Sequence, residues 1–79
     1  MILPNGTRCH VARKVSVDSM KAHGHYQRKG FPLKCPCTYS KNDVLVVKTK
    51  LSDELAMVFP ELHPKILSII CWKDLEKWV

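Results

Sequence analysis

The chain has 79 residues and a mass of 9.1 kDa, which is enough for one small core and excludes enzymes that need separate cofactor and substrate domains. Apolar residues make up 46% and charged residues 25% of the sequence, the balance of a folded chain rather than of a disordered one. No apolar run approaches the ~20 residues that a membrane-spanning helix needs. The start of the sequence lacks the basic and apolar regions of a secretory signal, so we expect a cytoplasmic protein without a membrane partner.

The net charge of +6 is unevenly distributed along the chain. Residues 1–50 carry ten basic and two acidic side chains, whereas residues 51–79 carry three basic and five acidic ones. The first part therefore has a net charge of +8 and the second a net charge of −2. Such a lopsided field attracts polyanions. The alternative is a basic face that serves only to keep a small protein in solution.

An alternating strand is predicted near the N-terminus. Asn5 and Gly6 favour a tight turn. Apolar and polar residues then alternate over 7–17, which predicts a half-buried strand with a basic outer face. Arg13 interrupts the apolar face of this strand and indicates a bulge, a bend or the end of the strand. Residues 18–30 show no clear period, so both a short helix and a second strand remain open there.

The middle of the chain predicts a loop, a turn and a central strand. Two prolines oppose regular structure over 31–37 and favour an extended loop. Polar residues at 40–43 predict a turn. The apolar run at 44–47 predicts a central strand that is covered on both faces.

Two helices are predicted in the last thirty residues. Ser52 is a favourable N-cap followed by two carboxylates, which predicts a short helix that ends before Pro60. A second helix is predicted over 64–78, because apolar residues recur there at spacings of three and four. This stripe consists of Leu67, Cys71, Leu75 and Trp78. The alternative for this segment is a β-branched strand over 66–72 that leads into a short helix at 74–78.

Residues 3–11, Leu-Pro-Asn-Gly-Thr-Arg-Cys-His-Val, resemble the opening turn and first strand of small SH3-like barrels, in which a glycine turn leads into an alternating strand. The predicted elements together indicate a single α+β domain over 1–79. Its short, twisted antiparallel sheet would come from the first fifty residues and would be packed by one or two C-terminal helices. The resemblance implies an SH3-like sheet. In this interpretation 1–50 is basic and rich in strands and loops, and 51–79 is helical and slightly acidic.

The four cysteines are predicted to be reduced thiols rather than two disulfides, because no secretory signal is present. They are Cys9, Cys35, Cys37 and Cys71. Cys9 and Cys71 are typical of small buried hydrophobic residues.

Some of these thiols, together with two histidines, could form a zinc site. His23 and His25, followed by Cys35 and Cys37, give two ligand pairs separated by a loop, which is the general layout of a four-ligand site. The single-residue spacing within each pair differs from that of the common zinc fingers. The alternative is that these cysteines line a loop and both histidines lie on the surface, and the sequence assigns no cofactor.

The same two histidines could also support RNA cleavage without a metal. One imidazole would act as the general base and the other as the acid, and Lys21, Arg28 and Lys29 would stabilise the developing charge. On a strand, His23 and His25 would face the same side and bracket a phosphate. A basic loop with two solvated histidines is the alternative, and no other catalytic constellation is present in the sequence. We therefore predict a protein that is not an enzyme.

Nucleic-acid binding by the basic first part is the function that the sequence favours. Lysine and arginine contact phosphates, and aromatic side chains stack on bases. Aromatic and basic residues are interleaved around 26–31 and 39–41, although no known recognition motif accompanies them. The predicted contact residues are Arg8, Lys14, Lys21, Tyr26, Arg28, Lys29, Lys34 and Lys41.

A small regulator or inhibitor that docks on a larger protein is the second predicted function. A basic face would meet an acidic protein surface, and an exposed tryptophan would serve as an anchor. Trp72 and Trp78 are six positions apart, so on one helix the two would point to different faces. Trp78 shares the apolar stripe of the predicted helix and Trp72 does not, which makes Trp72 the predicted protein contact.

Overall fold

The computed structural model describes residues 2–35 and 39–79. It contains five strands and one α-helix within these ranges, which confirms an α+β domain with an antiparallel sheet. The elements are β1 (Arg8–Val11), α1 (Val17–Arg28), β2 (Leu45–Lys50), β3 (Leu55–Pro60), β4 (Ser68–Cys71), a 3₁₀ helix (Trp72–Asp74) and β5 (Leu75–Lys77). The strand order is β4-β3-β2-β1-β5, and all neighbouring strands are antiparallel. In the described part of the chain no helix is long and apolar enough to cross a membrane.

The two strands predicted in the first fifty residues are confirmed. β1 is shorter than the alternating pattern, since it ends at Val11 and the chain turns away through 12–16 towards α1. Cys9 and Val11 are buried on its inner face. β2 occupies the middle of the sheet, as the apolar run at 44–47 predicts.

The predicted helix that begins at Ser52 is wrong, because this segment forms a hairpin turn and then β3. The Ser52 hydroxyl accepts hydrogen bonds from the backbone N–H groups of Glu54 and Leu55, at 3.2 and 3.1 Å. A serine can make this bond in a turn as well as at a helix N-cap. β3 pairs with strands on both sides, and three successive residues, Ala56, Met57 and Val58, are buried in it.

The predicted C-terminal helix over 64–78 is also wrong. This segment contains β4, the 3₁₀ helix and β5, so the alternative strand over 66–72 is closer to the structure, while its short helix at 74–78 is absent. A spacing of four residues is even, so Leu67 and Cys71 share one face of a strand as well as one face of a helix. Ile69 and Ile70 between them are β-branched and favour the strand.

The sheet separates two groups of buried side chains, because successive strand residues point to opposite faces. The main core consists of Leu3, Cys9, Val11, Leu45, Val47, Ala56, Val58, Ile70, Trp72 and Leu75. The second core consists of Leu33, Met57 and Ile69, and Ala22 and Tyr26 of α1 pack against it. Helix α1 therefore packs on one face of β3 and β4.

Helix α1 lies in the segment for which the sequence left helix and strand open. Its N-cap is Ser16, whose hydroxyl accepts from the backbone N–H of Ser19. The helix ends before Gly30, whose φ of +96° suits the left-handed position that follows many helices. The fully buried residues of α1 are Ser19 and His23, both polar, so the helix has no strong apolar stripe for the sequence to reveal.

These two polar residues cover the outer edge of β4, the last strand in the order. The backbone N–H of Cys71 donates to the Ser19 hydroxyl at 2.8 Å, and that of Ile69 donates to Nδ1 of His23 at 3.5 Å. Ser19 and His23, four residues apart on α1, thus accept hydrogen bonds from N–H groups that are two residues apart on β4. An edge strand otherwise presents unpaired N–H groups to other chains.

A buried carboxylate completes the junction between α1 and the end of β4. Asp74 is 1% exposed and accepts hydrogen bonds from the backbone of Ser16 at 3.0 Å and from the Ser19 hydroxyl at 2.9 Å. Burial alone would raise the pKa of the Asp74 carboxyl, but the hydrogen bonds from Ser16 and Ser19, together with the charge of Lys73, outweigh burial and lower this pKa. Asp74 therefore carries its negative charge at the N-terminus of a helix, where the helix dipole favours it.

Replacing Asp74 with asparagine should destabilise the fold. The isosteric amide can place its oxygen at the position of Oδ2, which accepts both hydrogen bonds, but it loses the charge that strengthens them. We therefore expect the free energy of unfolding to fall by about 2–3 kcal/mol at neutral pH. Urea unfolding measures this change. Asp53→Asn is the matched control, because the Asp53 side chain is 88% exposed and pairs only with Lys50; it should change the stability by less than about 1 kcal/mol. Equal losses in the two variants would contradict the role assigned to Asp74.

Candidate nucleic-acid interface

Two of the predicted contact residues, Lys14 and Lys41, line the same open groove. We call this feature the basic groove; it has a volume of about 450 Å³. Its lining residues are Val11, Arg13, Lys14, Val15, Met20, Tyr39, Ser40 and Lys41. The groove brings together residues that are more than twenty positions apart in the sequence.

Three segments of the chain build the basic groove. The end of β1 and the loop 12–16 that follows it contribute Val11, Arg13, Lys14 and Val15. The beginning of α1 contributes Met20, and the segment 39–41 before β2 contributes the other three residues. The loop is fixed at its end by the hydrogen bond from Ser16 to the buried Asp74. The groove is thus attached at one end to the junction that begins the helix.

Tyr39 is held in place by its hydroxyl group. That oxygen lies 2.8 Å from Oγ of Ser68, and Ser68 donates to the backbone oxygen of Lys34 at 3.0 Å, so Tyr39 is the donor to Ser68. Burial raises the pKa of Tyr39, with a further increase from the charge of Asp43, and the hydrogen bond to Ser68 only partly opposes this. Tyr39 therefore remains a neutral phenol, and its ring packs against the main core.

The cations of the basic groove have no carboxylate partners within residues 2–35 and 39–79. The acidic side chains that form ion pairs there do so with other residues: Arg8 with Glu61, Lys50 with Asp53 and Lys73 with Asp18. Glu76 lies 3.6 Å from Nε2 of His10. Asp43, near the groove, accepts a hydrogen bond from the backbone of Ser40 at 2.9 Å. The charges of Arg13, Lys14 and Lys41 are therefore available to an external anion.

Helix α1 presents further basic residues on its outer face. Its inner face is defined by the buried residues Ser19 and His23, and a rotation of 100° per residue places Lys21 and Arg28 on the opposite side. Both side chains are exposed and enter no ion pair in the described part of the chain. Lys21 directly follows Met20, so this outer face begins beside the basic groove.

Tyr26, the aromatic residue predicted to contact nucleic acid beside these cations, makes contacts within the protein. Tyr26 is half-buried, packs against the second core and makes edge-to-face contacts with His25 and Phe31 at ring-centroid distances of 5.6 and 5.8 Å. Nζ of Lys29 lies 5.7 Å from the centre of the Tyr26 ring, a cation–π contact. Tyr39 is the aromatic residue that the basic groove contains.

Two other predicted contact residues lie in surroundings of mixed charge. Arg8, on β1, forms an ion pair with Glu61. Lys34 lines a second groove of about 290 Å³, which also contains Asp43 and Glu61. Carboxylates so close to these cations weaken the attraction of a polyanion, so neither residue extends the basic groove.

The structure does not bring His23 and His25 together as a catalytic or metal-binding pair. His23 is 4% exposed, whereas His25 lies on the exposed part of the helix. Both are on a helix rather than a strand. Positions two apart on a helix differ by a rotation of 200°, so the two side chains point in different directions. Cys35 is exposed and Cys37 lies outside the described residues. Among the described residues, no group of three or more His, Cys, Asp or Glu side chains could hold a metal ion.

Trp72 is buried, so the prediction that it is an exposed protein contact is wrong. It is 3% exposed, belongs to the main core, and its indole N–H donates to the backbone oxygen of Ser52 at 3.0 Å. The prediction assumed a helix, whereas Trp72 follows directly after a strand. Trp78 is the half-exposed tryptophan, and it makes an edge-to-face contact with His10 at 5.4 Å.

Cys9 and Cys71 are buried, as expected for small hydrophobic side chains. Burial raises the pKa of the Cys9 thiol to about 11. This thiol is therefore protonated at neutral pH, and a protonated thiol is a poor nucleophile and a poor metal ligand.

The predicted contact residues do not include Arg13 and Met20, which the structure places in the groove. Arg13 interrupts the alternating pattern of the predicted strand, but two adjacent cations after a strand are also a signal for a basic loop. Met20 stands in a segment without a clear period, and its place beside Tyr39 depends on the position of α1.

Comparison with known proteins adds no relatives: no family model matches the chain, and neither a curated protein nor a solved structure matches it significantly.

The burial of His23 should make stability depend on pH. Desolvation lowers the pKa of His23 below its ordinary value of 6.5. The unfolded chain therefore takes up a proton more readily than the folded one, and the stabilisation present above pH 6.5 is lost as the pH falls below it. A protonated His23 also has no lone pair on Nδ1 to accept from Ile69.

Urea unfolding between about pH 8 and pH 5 measures this dependence. His23→Gln keeps an acceptor for Ile69 and has no charge to gain, so its stability should change less between these limits than that of the unmodified protein. The control is His25→Gln, which changes an exposed histidine and should retain the full dependence. Identical curves for His23→Gln and the unmodified protein would contradict the assignment. Asp74, with its lowered pKa, affects stability only at more acidic pH.

Proposed function

We propose that this protein binds nucleic acid without catalysing a reaction and that the basic groove is its binding site. The observation that carries the proposal is the juxtaposition of Arg13, Lys14 and Lys41, none paired with a carboxylate in the described structure, around Tyr39 and Met20. Cations that contact phosphates supply most of the affinity in sequence-independent nucleic-acid binding. Aromatic and apolar groups beside them add contacts to bases.

The outer face of α1 is proposed to extend the site. A nucleic-acid backbone that leaves the basic groove past Met20 would next meet Lys21 and then Arg28. Each additional phosphate contact releases counterions and increases the salt dependence of binding. The proposed interface is thus a groove followed by a shallow basic helix face.

We also propose that the sheet is an SH3-like barrel. The strand order β4-β3-β2-β1-β5 and the short 3₁₀ helix between β4 and β5 support this proposal, as does the glycine turn at Gly6, where φ is +87°. In this interpretation α1 occupies the long connection between the first two strands. The fold does not identify the ligand, because small barrels of this type serve many functions.

Removing two cations of the groove should weaken binding to any nucleic acid. In the double variant with Lys14→Ala and Lys41→Ala we expect about tenfold weaker binding at low salt and a smaller slope of log K against log salt, by about 1.5 for two lost phosphate contacts. Fluorescence anisotropy with labelled single- and double-stranded oligonucleotides at about 50 to 200 mM salt measures both quantities. For the unmodified protein we expect a Kd below about 1 μM at the lowest salt.

The double variant with Lys65→Ala and Lys77→Ala is the matched control. It removes the same charge from two exposed lysines that do not line the groove. An equal effect in both double variants would mean that net charge, not the groove, drives binding. Absence of binding at low salt would refute the proposal, and a labelled polyglutamate that binds more tightly than the oligonucleotides would assign the groove to an acidic protein surface.

The helix face should contribute less than the groove. Changing Lys21 and Arg28 to alanine together should weaken oligonucleotide binding about threefold at low salt, because exposed cations on one open face hold fewer phosphates closely. The anisotropy titration described above measures this. A loss larger than that of the groove variant would move the site from the groove to the helix.

A further inference from the structure

We infer that the basic groove takes single-stranded nucleic acid, with one unstacked base against Tyr39 and Met20 and the flanking phosphates at Arg13, Lys14 and Lys41. The inference rests on the proposed function and identifies the form of nucleic acid that the site would select. It follows from the groove having an apolar floor as well as cations.

Four of the eight described residues that line the basic groove are apolar or aromatic. They are Val11, Val15, Met20 and Tyr39, and we call them the apolar floor. Met20 is 47% exposed, so part of this apolar surface faces solvent in the unbound protein. A site that held phosphates alone would gain nothing from these apolar side chains. The flat, weakly polar face of a base would cover them and remove them from water.

A base face becomes available only in a single strand. In a duplex both faces of each base are stacked, and a binding protein meets the phosphates and the base edges. Bringing a duplex base into the groove would require flipping it out, which costs a few kcal/mol in unstacking and unpairing. The apolar floor therefore discriminates against duplexes, while the cations attract both forms.

The size of the groove agrees with such a ligand. Its volume of about 450 Å³ lies in the range of ~300–1,000 Å³ that is typical of small-molecule sites. This leaves room for a base and its sugar. The hydrogen bond from Tyr39 to Ser68 fixes the ring before the ligand arrives, which reduces the entropy lost on binding.

The cations come from two separate segments, which suits a strand that passes through the groove. Arg13 and Lys14 belong to the loop 12–16, and Lys41 follows Tyr39 in the segment before β2. Phosphates before and after an inserted base could each meet a cation. One isolated anion would need only one of these segments.

Three labelled probes of equal length test the inference by fluorescence anisotropy. They are a single strand of about ten thymidines, an abasic strand with the same number of phosphates, and a blunt GC-rich duplex of about ten base pairs without a loop, a length within the ~4–16 nucleotides that small single-strand modules occupy. We expect the thymidine strand to bind about tenfold more tightly than either of the others.

A matched pair of variants on α1 tests the apolar floor. Met20→Ala removes exposed apolar surface inside the groove, whereas Val17→Ala removes it from a residue that is 66% exposed and does not line the groove. We expect Met20→Ala to weaken binding of the thymidine strand at least about threefold and to leave the abasic strand unchanged. Val17→Ala should change neither. Met20 is preferable to Tyr39 as the changed residue, because Tyr39 also anchors its segment to Ser68.

The outcomes separate the inference from the proposed function. Equal binding of the duplex and the thymidine strand would overturn the single-strand inference and leave nucleic-acid binding intact. Equal binding of the abasic and thymidine strands would overturn the base contact in the same way. If none of the three probes binds, the proposed function fails, and the inference fails with it.

Discussion

The buried carboxylate of Asp74 accepts hydrogen bonds from the backbone of Ser16 and the hydroxyl of Ser19, and three elements meet at this point. The Ser19 hydroxyl donates its proton to Asp74, and the same oxygen accepts from the backbone N–H of Cys71. One charged group thus fixes the first turn of α1 and, through Ser19, covers the edge of β4. An unpaired buried carboxylate would be costly, so these donors and the carboxylate depend on one another.

The basic groove depends on this junction. Ser16 ends the loop that carries Arg13 and Lys14, and α1, which begins there, carries Met20 into the groove.

The positions of acidic residues matter equally. Asp74 is buried, and several other carboxylates are held by cations away from the groove, as in the pairs of Glu61 and Asp18. The fold thereby places the unpaired cations of the groove apart from these carboxylates, whereas the sequence shows only an excess of basic over acidic residues.

The sequence predicted β1, β2 and the antiparallel pairing, because alternation and apolar runs reflect strand burial directly. It placed the sheet in the first fifty residues, which is wrong, because β3, β4 and β5 come from 55–77. It left helix and strand open for the segment of α1, since a helix whose buried face is Ser19 and His23 has no apolar period. It predicted a helix over 64–78 because a spacing of four residues fits both periods. Of the candidate site, Lys14, Lys41 and the aromatic–basic pairing at 39–41 could be recognised from the sequence, and Arg13 beside Lys14 was a further signal there. The meeting of residues 13–14 with 39–41 could not be recognised, since it depends on tertiary packing.

Helix α1 has few apolar residues because its buried face hydrogen-bonds to the edge of β4. A helix that buries only apolar residues would leave the outward N–H groups of β4 unpaired, whereas Ser19 and His23 accept from two of them. Apolar contact is left to Ala22 and Tyr26, which pack on the second core. With the inner face so assigned, the outer face is free to carry Lys21 and Arg28, and Met20 between the two faces reaches the groove. A sixth strand could cover β4 equally well, but it would lie in the plane of the sheet and offer no such face to a ligand.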